Sequence, residues 1–142
     1  MTENPAFCRP ETKLQEVARL MVDCDFGEIP VVDSDSSRKP IGVITDRDIT
    51  VRAVAQGRNP LELTARDCMS TDPVTTTPDA DLEEAANLLG EHQLRRLPVV
   101  NERGELCGIV TQADIAKAAP PQETGDLVRE VSQPGGNALH AS

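Results

Sequence analysis

Aromatic residues are almost absent: Phe7 and Phe26 are the only two in 142 residues, with no Trp and no Tyr. That removes the stacking platforms on which single-stranded bases are read. A basic excess is missing too. Lys and Arg total 14 against 24 Asp and Glu, a formal net charge of −10, so the counterion release that drives nucleic-acid binding has no broad source. No apolar run approaches the ~20 residues that span a bilayer, and residues 1–9 lack the apolar core behind a basic start that marks a signal peptide. Cys8, Cys24, Cys68 and Cys107 form neither a C-x-x-C pair nor a disulfide framework. Small, mostly buried thiols in a reducing cytoplasm are the expectation; the exception to it would be an exposed, oxidisable Cys8 close to the N-terminus. The chain reads as a cytoplasmic protein with neither a nucleic-acid nor a membrane partner.

Catalytic constellations are equally scarce. The chain contains no G-x-x-x-x-G-K-S/T loop and no H-E-x-x-H string. Asp46 and Asp48 lie two apart at a helix start and point different ways, a poor acid–base pair. His92 has no second histidine or carboxylate cluster around it in sequence, and His140 belongs to the tail. No catalytic residue, metal site or required cofactor is expected.

What is present is a duplication. Shifted by 68 residues, the chain aligns with itself over its first 33 positions: Met1 falls on Met69, Pro10 on Pro78, Leu14 on Leu82, and Pro30-Val31-Val32 on Pro98-Val99-Val100. After two extra residues in the first copy the offset becomes 66, and Gly42, Thr45, Asp48 and Ile49 fall on Gly108, Thr111, Asp114 and Ile115. Matches that keep their order over a whole unit mark an internal repeat. Residues 1–57 form repeat one, 58–68 the connection, 69–119 repeat two and 120–142 a tail.

Each copy has the same expected layout. A short extended piece (Ala6–Arg9, Val74–Thr77) stops at a proline. A helix follows whose apolar residues, Leu14, Val17, Ala18 and Met21 or Leu82, Ala85, Ala86 and Leu89, fall at i, i+3, i+4, i+7. Next come a buried strand starting near a proline (Ile29–Val32, Leu97–Val100), a polar turn, a third strand (Ile41–Ile44, Cys107–Val110) and a closing helix that Thr45 or Thr111 can cap. Gly57 is a stop for the first closing helix, Thr64 a cap within an ordered connection, and Leu127, Val128 and Val131 a short docking helix before a frayed end. The fold class is therefore α/β (α+β): two β-α-β-β-α units that cover each other's apolar surface as a pseudo-two-fold pair. A leftover helical face predicts a homodimer.

The strings Gly42-Val43-Ile44-Thr45-Asp46-Arg47-Asp48-Ile49 and Gly108-Ile109-Val110-Thr111-Gln112-Ala113-Asp114-Ile115 resemble the G-h-x-T-x-x-D-h signature of CBS (cystathionine-β-synthase) domains. Ile29-Pro30-Val31-Val32-Asp33 and Leu97-Pro98-Val99-Val100 resemble the proline strand of the same family, so the resemblance covers residues 1 to about 119. Glu91–Pro98 and Ala113–Ala116 further resemble small stand-alone tandem CBS (Bateman) proteins.

The resemblance implies regulation. Paired modules of the family bind adenosyl ligands (AMP, ADP, ATP, S-adenosylmethionine, in some cases NAD forms) in clefts between the copies. The aspartate reads the ribose hydroxyls, the threonine and the amides at the helix start favour phosphate, and the proline strand forms the adenine wall. The T-x-x-D of one copy faces the adenine wall of the other. The implied first cleft holds Gly42, Val43, Thr45, Arg47 and Asp48 opposite Val74, Leu94, Arg95, Arg96 and Pro98. The second, weaker cleft holds Gly108, Ile109, Thr111 and Asp114 opposite Ala6, Phe26, Gly27 and Pro30. In it Ala113 replaces Arg47, and Gly27-Glu28 replace the two arginines, so a phosphate there meets Glu28. The implied function is an adenosyl-ligand sensor acting on an unknown regulated protein, with no enzymatic activity. The alternative is a stress-associated or interaction protein that keeps the fold without a ligand, and a third reading is a cryptic phosphohydrolase. Thr45 and Thr111 as simple caps, with Asp48 and Asp114 as first-turn charges, remain the competing structural explanation for the motif.

Overall fold

Each copy of the repeat lends its first strand to the sheet of the other. The computed structural model describes residues 1–118. In chain order these form β1 (Thr2–Glu3), α1 (Leu14–Cys24), β2 (Glu28–Val32), β3 (Pro40–Thr45) and α2 (Asp46–Ile49), which continues into a wider π turn at Thr50–Val54. A 3-10 turn (Pro60–Glu62) and α3 (Ala65–Cys68) make the connection. The second copy follows as β4 (Ser70–Thr71), α4 (Leu82–Glu91), β5 (Arg96–Val100), β6 (Leu106–Thr111) and α5 (Gln112–Ala118). Two antiparallel sheets result, ordered β2-β3-β4 and β1-β6-β5. Thr2 and Glu3 pair with Ile109 and Gly108, while Ser70 and Thr71 pair with Val43 and Gly42.

The extended pieces read from the sequence as first strands take a smaller part. Cys8 makes one parallel bridge to Val31, donating its N–H to Pro30 O at 3.0 Å and accepting from Val32 N–H at 2.8 Å. Thr76 repeats this with Pro98 O and Val100 N–H. Pro10 and Pro78 lie two residues beyond. The exchanged strands are two residues long and polar, too short to show an alternation.

The duplication persists in backbone geometry where side chains differ. Asn4 and Asp72 (φ 51° and 54°) and Asp25 and Gln93 (both φ 54°) adopt left-handed conformations at matching positions. Asp25 closes α1 by donating its N–H to Met21 O and Val22 O. Register irregularities also match, between Val31 and Val32 and between Val99 and Val100.

Apolar burial follows the expected stripes. Leu14 and Val17 are buried with Ile29, Val31 and Ile44 in the first copy, and Ala85 and Leu89 with Leu97 and Ile115 in the second. The connection is ordered and completes the first core: Leu63, Ala65 and Cys68 are buried there. Its backbone is tied down as well, since Leu14 N–H donates to Leu63 O, Ala65 N–H to Thr12 O and Arg66 N–H to Pro10 O. Thr64 and Asp67 form a capping box, as the cap reading of Thr64 requires. Over the second copy the matching region, between Thr76, Pro78, Leu82, Ala85 and Ile115, is a cavity of about 300 Å³ with Met1 at its side. The expected docking helix at Leu127, Val128 and Val131, the frayed end and His140 lie outside the described residues. No helix among the described residues is long and apolar enough to cross a membrane.

Candidate functional site

The two motif turns are built identically. Where β3 enters α2, Asp48 N–H donates to Thr45 Oγ1 at 3.0 Å and Thr45 N–H donates to Asp48 Oδ2 at 2.9 Å. Where β6 enters α5, Asp114 N–H donates to Thr111 Oγ1 at 3.1 Å and Thr111 N–H to Asp114 Oδ2 at 3.0 Å. The capping explanation of these residues therefore holds: each pair closes a helix start reciprocally. It leaves chemistry over. Each aspartate commits one carboxylate oxygen, and its Oδ1 makes no hydrogen bond among the described residues. Each threonine acts as acceptor in its cap, which leaves the hydroxyl proton available to a further acceptor.

The strand exchange sets what faces each turn. Because β4 lies along Gly42 and Val43, the chain leading to Val74 departs from beside the first motif. Because β1 lies along Gly108 and Ile109, Ala6 departs from beside the second. The two glycines make this approach possible. A Cβ on Gly42 would stand 2.5 Å from Ser70 O, and one on Gly108 would stand 2.7 Å from Met1 Sδ and 3.0 Å from Thr2 O. Pro30 and Pro98 are buried opposite Val43 and Ile109 within their own sheets. Leu94 and Val74 pack on the second core and Ala6 on the first. Gly27 accepts from Asp46 N–H at 3.0 Å, as Arg95 accepts through its carbonyl from Gln112 N–H at 3.2 Å.

Charged groups depart from a clean division into two clefts. Arg47 is exposed and without an ion pair among the described residues. Arg96, expected in the first cleft, holds its guanidinium 4.5 Å from the ring centroid of Phe26, expected in the second. Its Nε is buried without a hydrogen-bond partner. Glu28, read from the sequence as a second-cleft group, is only 9% exposed, and its carboxylate makes no ion pair among the described residues. Burial lifts its pKa from 4.5 to about 7; Arg96 pulls it down and Asp48 pushes it further up. Residues assigned from the sequence to separate clefts, Phe26 and Glu28 to one and Asp48 and Arg96 to the other, thus form one cluster. The signal for it was present in the repeat, since Glu28 and Arg96 are equivalent positions, yet nothing local says that equivalent positions approach one another.

Cys8 follows the buried-thiol expectation and not its exception. Cys8 is buried, and burial together with the Glu16 charge pushes its thiol up to about 12; the exposed thiol is Cys24. Among the described residues no group of three or more His, Cys, Asp or Glu could hold a metal ion.

Comparison with known proteins bears on this geometry. The CBS-domain family model matches residues 1–54 and again 65–120. An uncharacterized protein of Methanopyrus kandleri is 39% identical over 111 residues, which cover 78% of this chain and 56% of that protein's length. Hypoxic response protein 1 of Mycobacterium tuberculosis is 34% identical over 121 residues, 85% of this chain and 82% of that one. The crystal structure of Hypoxic Response Protein I, with two coordinated zinc ions, superposes with a TM-score of 0.75 at 33% identity, covering 84% of this chain and 95% of that chain. The structure of CBSX2 in complex with AMP superposes with a TM-score of 0.71 at 30% identity, covering 83% of this chain and 90% of that chain.

Proposed function

Because this chain belongs to the CBS-domain family, we propose that it is a regulatory module whose first cleft takes an adenine nucleotide and whose bound state is read by a partner protein. The observation that carries the reading is the motif turn itself. Asp48 keeps Oδ1 for two vicinal ribose hydroxyls, and Thr45 keeps a hydroxyl proton for a phosphate oxygen, while both close the helix start. Val74, Leu94 and Pro98 supply the apolar wall for the base, and Arg47, Arg95 and Arg96 the positive charge for the phosphate. The AMP complex of CBSX2 supports that ligand class. S-adenosylmethionine fits the base and ribose contacts equally but offers the arginines no phosphate.

The second cleft is the weaker one in this reading. Arg96 already lies against Phe26, and Glu28 stands beside it. Val22 on α1 and Val51 and Val54 on the π turn remain 72%, 42% and 58% exposed, which favours a homodimer that covers them. No enzymatic step is assigned, and the cytoplasm remains the proposed location.

Titration calorimetry of AMP, ATP, S-adenosylmethionine and NADH into the wild type and Asp48→Ala tests this. Protein concentration comes from amino-acid analysis, since Trp and Tyr are absent. Binding that Asp48→Ala weakens by tenfold or more, about 1.4 kcal/mol, is the expected result. Silence across the panel would favour the ligand-free interaction protein, and phosphate release above blank would favour the phosphohydrolase.

A further inference from the structure

Glu28 is the buried acid where the residues of the two expected clefts come together, and Arg96, which acts on it, is not fully partnered. Glu28 is nine-tenths buried at the head of β2, and Arg96, at the head of β5, has a buried Nε without a hydrogen-bond partner and lies against Phe26, two residues before Glu28. They hold equivalent places in the two copies, so the repeat sets opposite charges across its own pseudo-two-fold axis. A buried acid normally finds a donor or loses its charge. Here the charged groups that act on it are Arg96 from β5 and Asp48 from α2; its register partner on β3, Thr45, is neutral, and no charged group of α1 acts on it. Two of those neighbours, Asp48 and Arg96, belong to the expected ligand set of the first cleft.

We propose that Glu28 is a specificity-determining residue of the first cleft, setting through Arg96 how strongly that cleft prefers a phosphate-bearing nucleotide over the neutral nucleoside. Ionised, Glu28 offsets the Arg96 charge, so that less of it acts on the phosphate. Protonated, it leaves Arg96 to the anion, and the anion in turn removes the one cation that favours the carboxylate. Phosphate binding and protonation of Glu28 therefore support each other, as linkage requires. Glu28 needs no contact with the ligand for this; it acts on the arginine that faces it. The inference rests on the nucleotide reading above.

The experiment compares AMP with adenosine by titration calorimetry, for the wild type and Glu28→Gln, at pH 6 and pH 8. Pairing the proteins at each pH cancels the titration of the AMP phosphate itself. At pH 8 the AMP-over-adenosine affinity ratio rises about tenfold in Glu28→Gln, the size of roughly one pKa unit of charge coupling, and at pH 6 the two proteins differ by no more than about twofold. In an Arg96→Gln background the gain at pH 8 disappears, which separates action through Arg96 from a general change in the fold. Equal ratios in the two proteins at pH 8, or a gain that survives in Arg96→Gln, would overturn the proposal. If neither AMP nor adenosine binds either protein, the nucleotide reading fails, and sulfate tests the selector directly. The carboxyl carbon resonance of Glu28, followed against pH in sulfate and in chloride at equal ionic strength, then shifts its midpoint upward in sulfate. A midpoint indifferent to the anion would overturn the selector as well.

Discussion

Glu28 and Arg96 occupy the same position in the two copies, and the positive charge of one acts on the buried carboxylate of the other. They form no ion pair within 4.0 Å. Arg96 instead lies over Phe26. Taking both charges out of water costs several kcal/mol per ion, and their attraction repays this only with good geometry and full hydrogen bonding. A pair that lacks both is not a device for stability. That is the reason for placing it in the selection of ligand.

The first prediction concerns pH. Glu28 carries a pKa raised from 4.5 to about 7 in the folded chain. The folded state therefore binds the proton more tightly than the unfolded one, and this contribution to stability is fully present below about pH 4.5. It is lost as pH rises through about 7. Urea unfolding at pH 8 should find Glu28→Gln more stable than the wild type by about 1–3 kcal/mol. The difference should shrink toward zero near pH 5. A wild type as stable as Glu28→Gln at pH 8 would show that the carboxylate is better solvated than its burial indicates.

Gly42 carries the strand exchange. Alanine there puts a Cβ 2.5 Å from Ser70 O, a backbone atom that can yield only if β4 moves. Gly42→Ala should cost about 1–3 kcal/mol, read from the urea midpoint. Gly108→Ala should cost less, because the nearest atom is the flexible end of Met1. Equal losses would mean that Met1 is held as firmly as Ser70.

The two capping boxes should be equal in stability and unequal in binding. Thr45→Ala and Thr111→Ala each remove one cap acceptor and should each cost about 1 kcal/mol. Asp48→Ala should weaken AMP by tenfold or more, while Asp114→Ala should change it by less than about threefold. Comparable affinity losses from the two aspartates would place nucleotide in both clefts.

Thiol reactivity should single out Cys24. It is exposed, whereas Cys8 and Cys68 are buried with thiols pushed above the usual range, chiefly by desolvation. Mass spectrometry after brief alkylation of the native protein should find Cys24 modified first and Cys8 protected until denaturant is added. Early labelling of Cys8 would show that the bridge between Cys8 and Val31 opens readily.

Much of this protein was legible one residue at a time. The 68-residue offset, the helical stripes through Leu14 and Leu82, and the proline strands at Pro30 and Pro98 are local patterns, and each became the element it announced. So did the caps at Thr45, Thr64 and Thr111, because a cap joins residues three apart. Tertiary structure alone decided the rest. Thr2–Glu3 and Ser70–Thr71 carry no apolar alternation, so only the edge of the opposite sheet makes them strands. Arg96 meets Phe26 only once the two copies are packed together, and the sequence separation of 70 residues contains no trace of that. Glu28 read as a second-cleft acid that would repel a phosphate there. Burial, which depends on every neighbour at once, turned it into a group that titrates near neutrality.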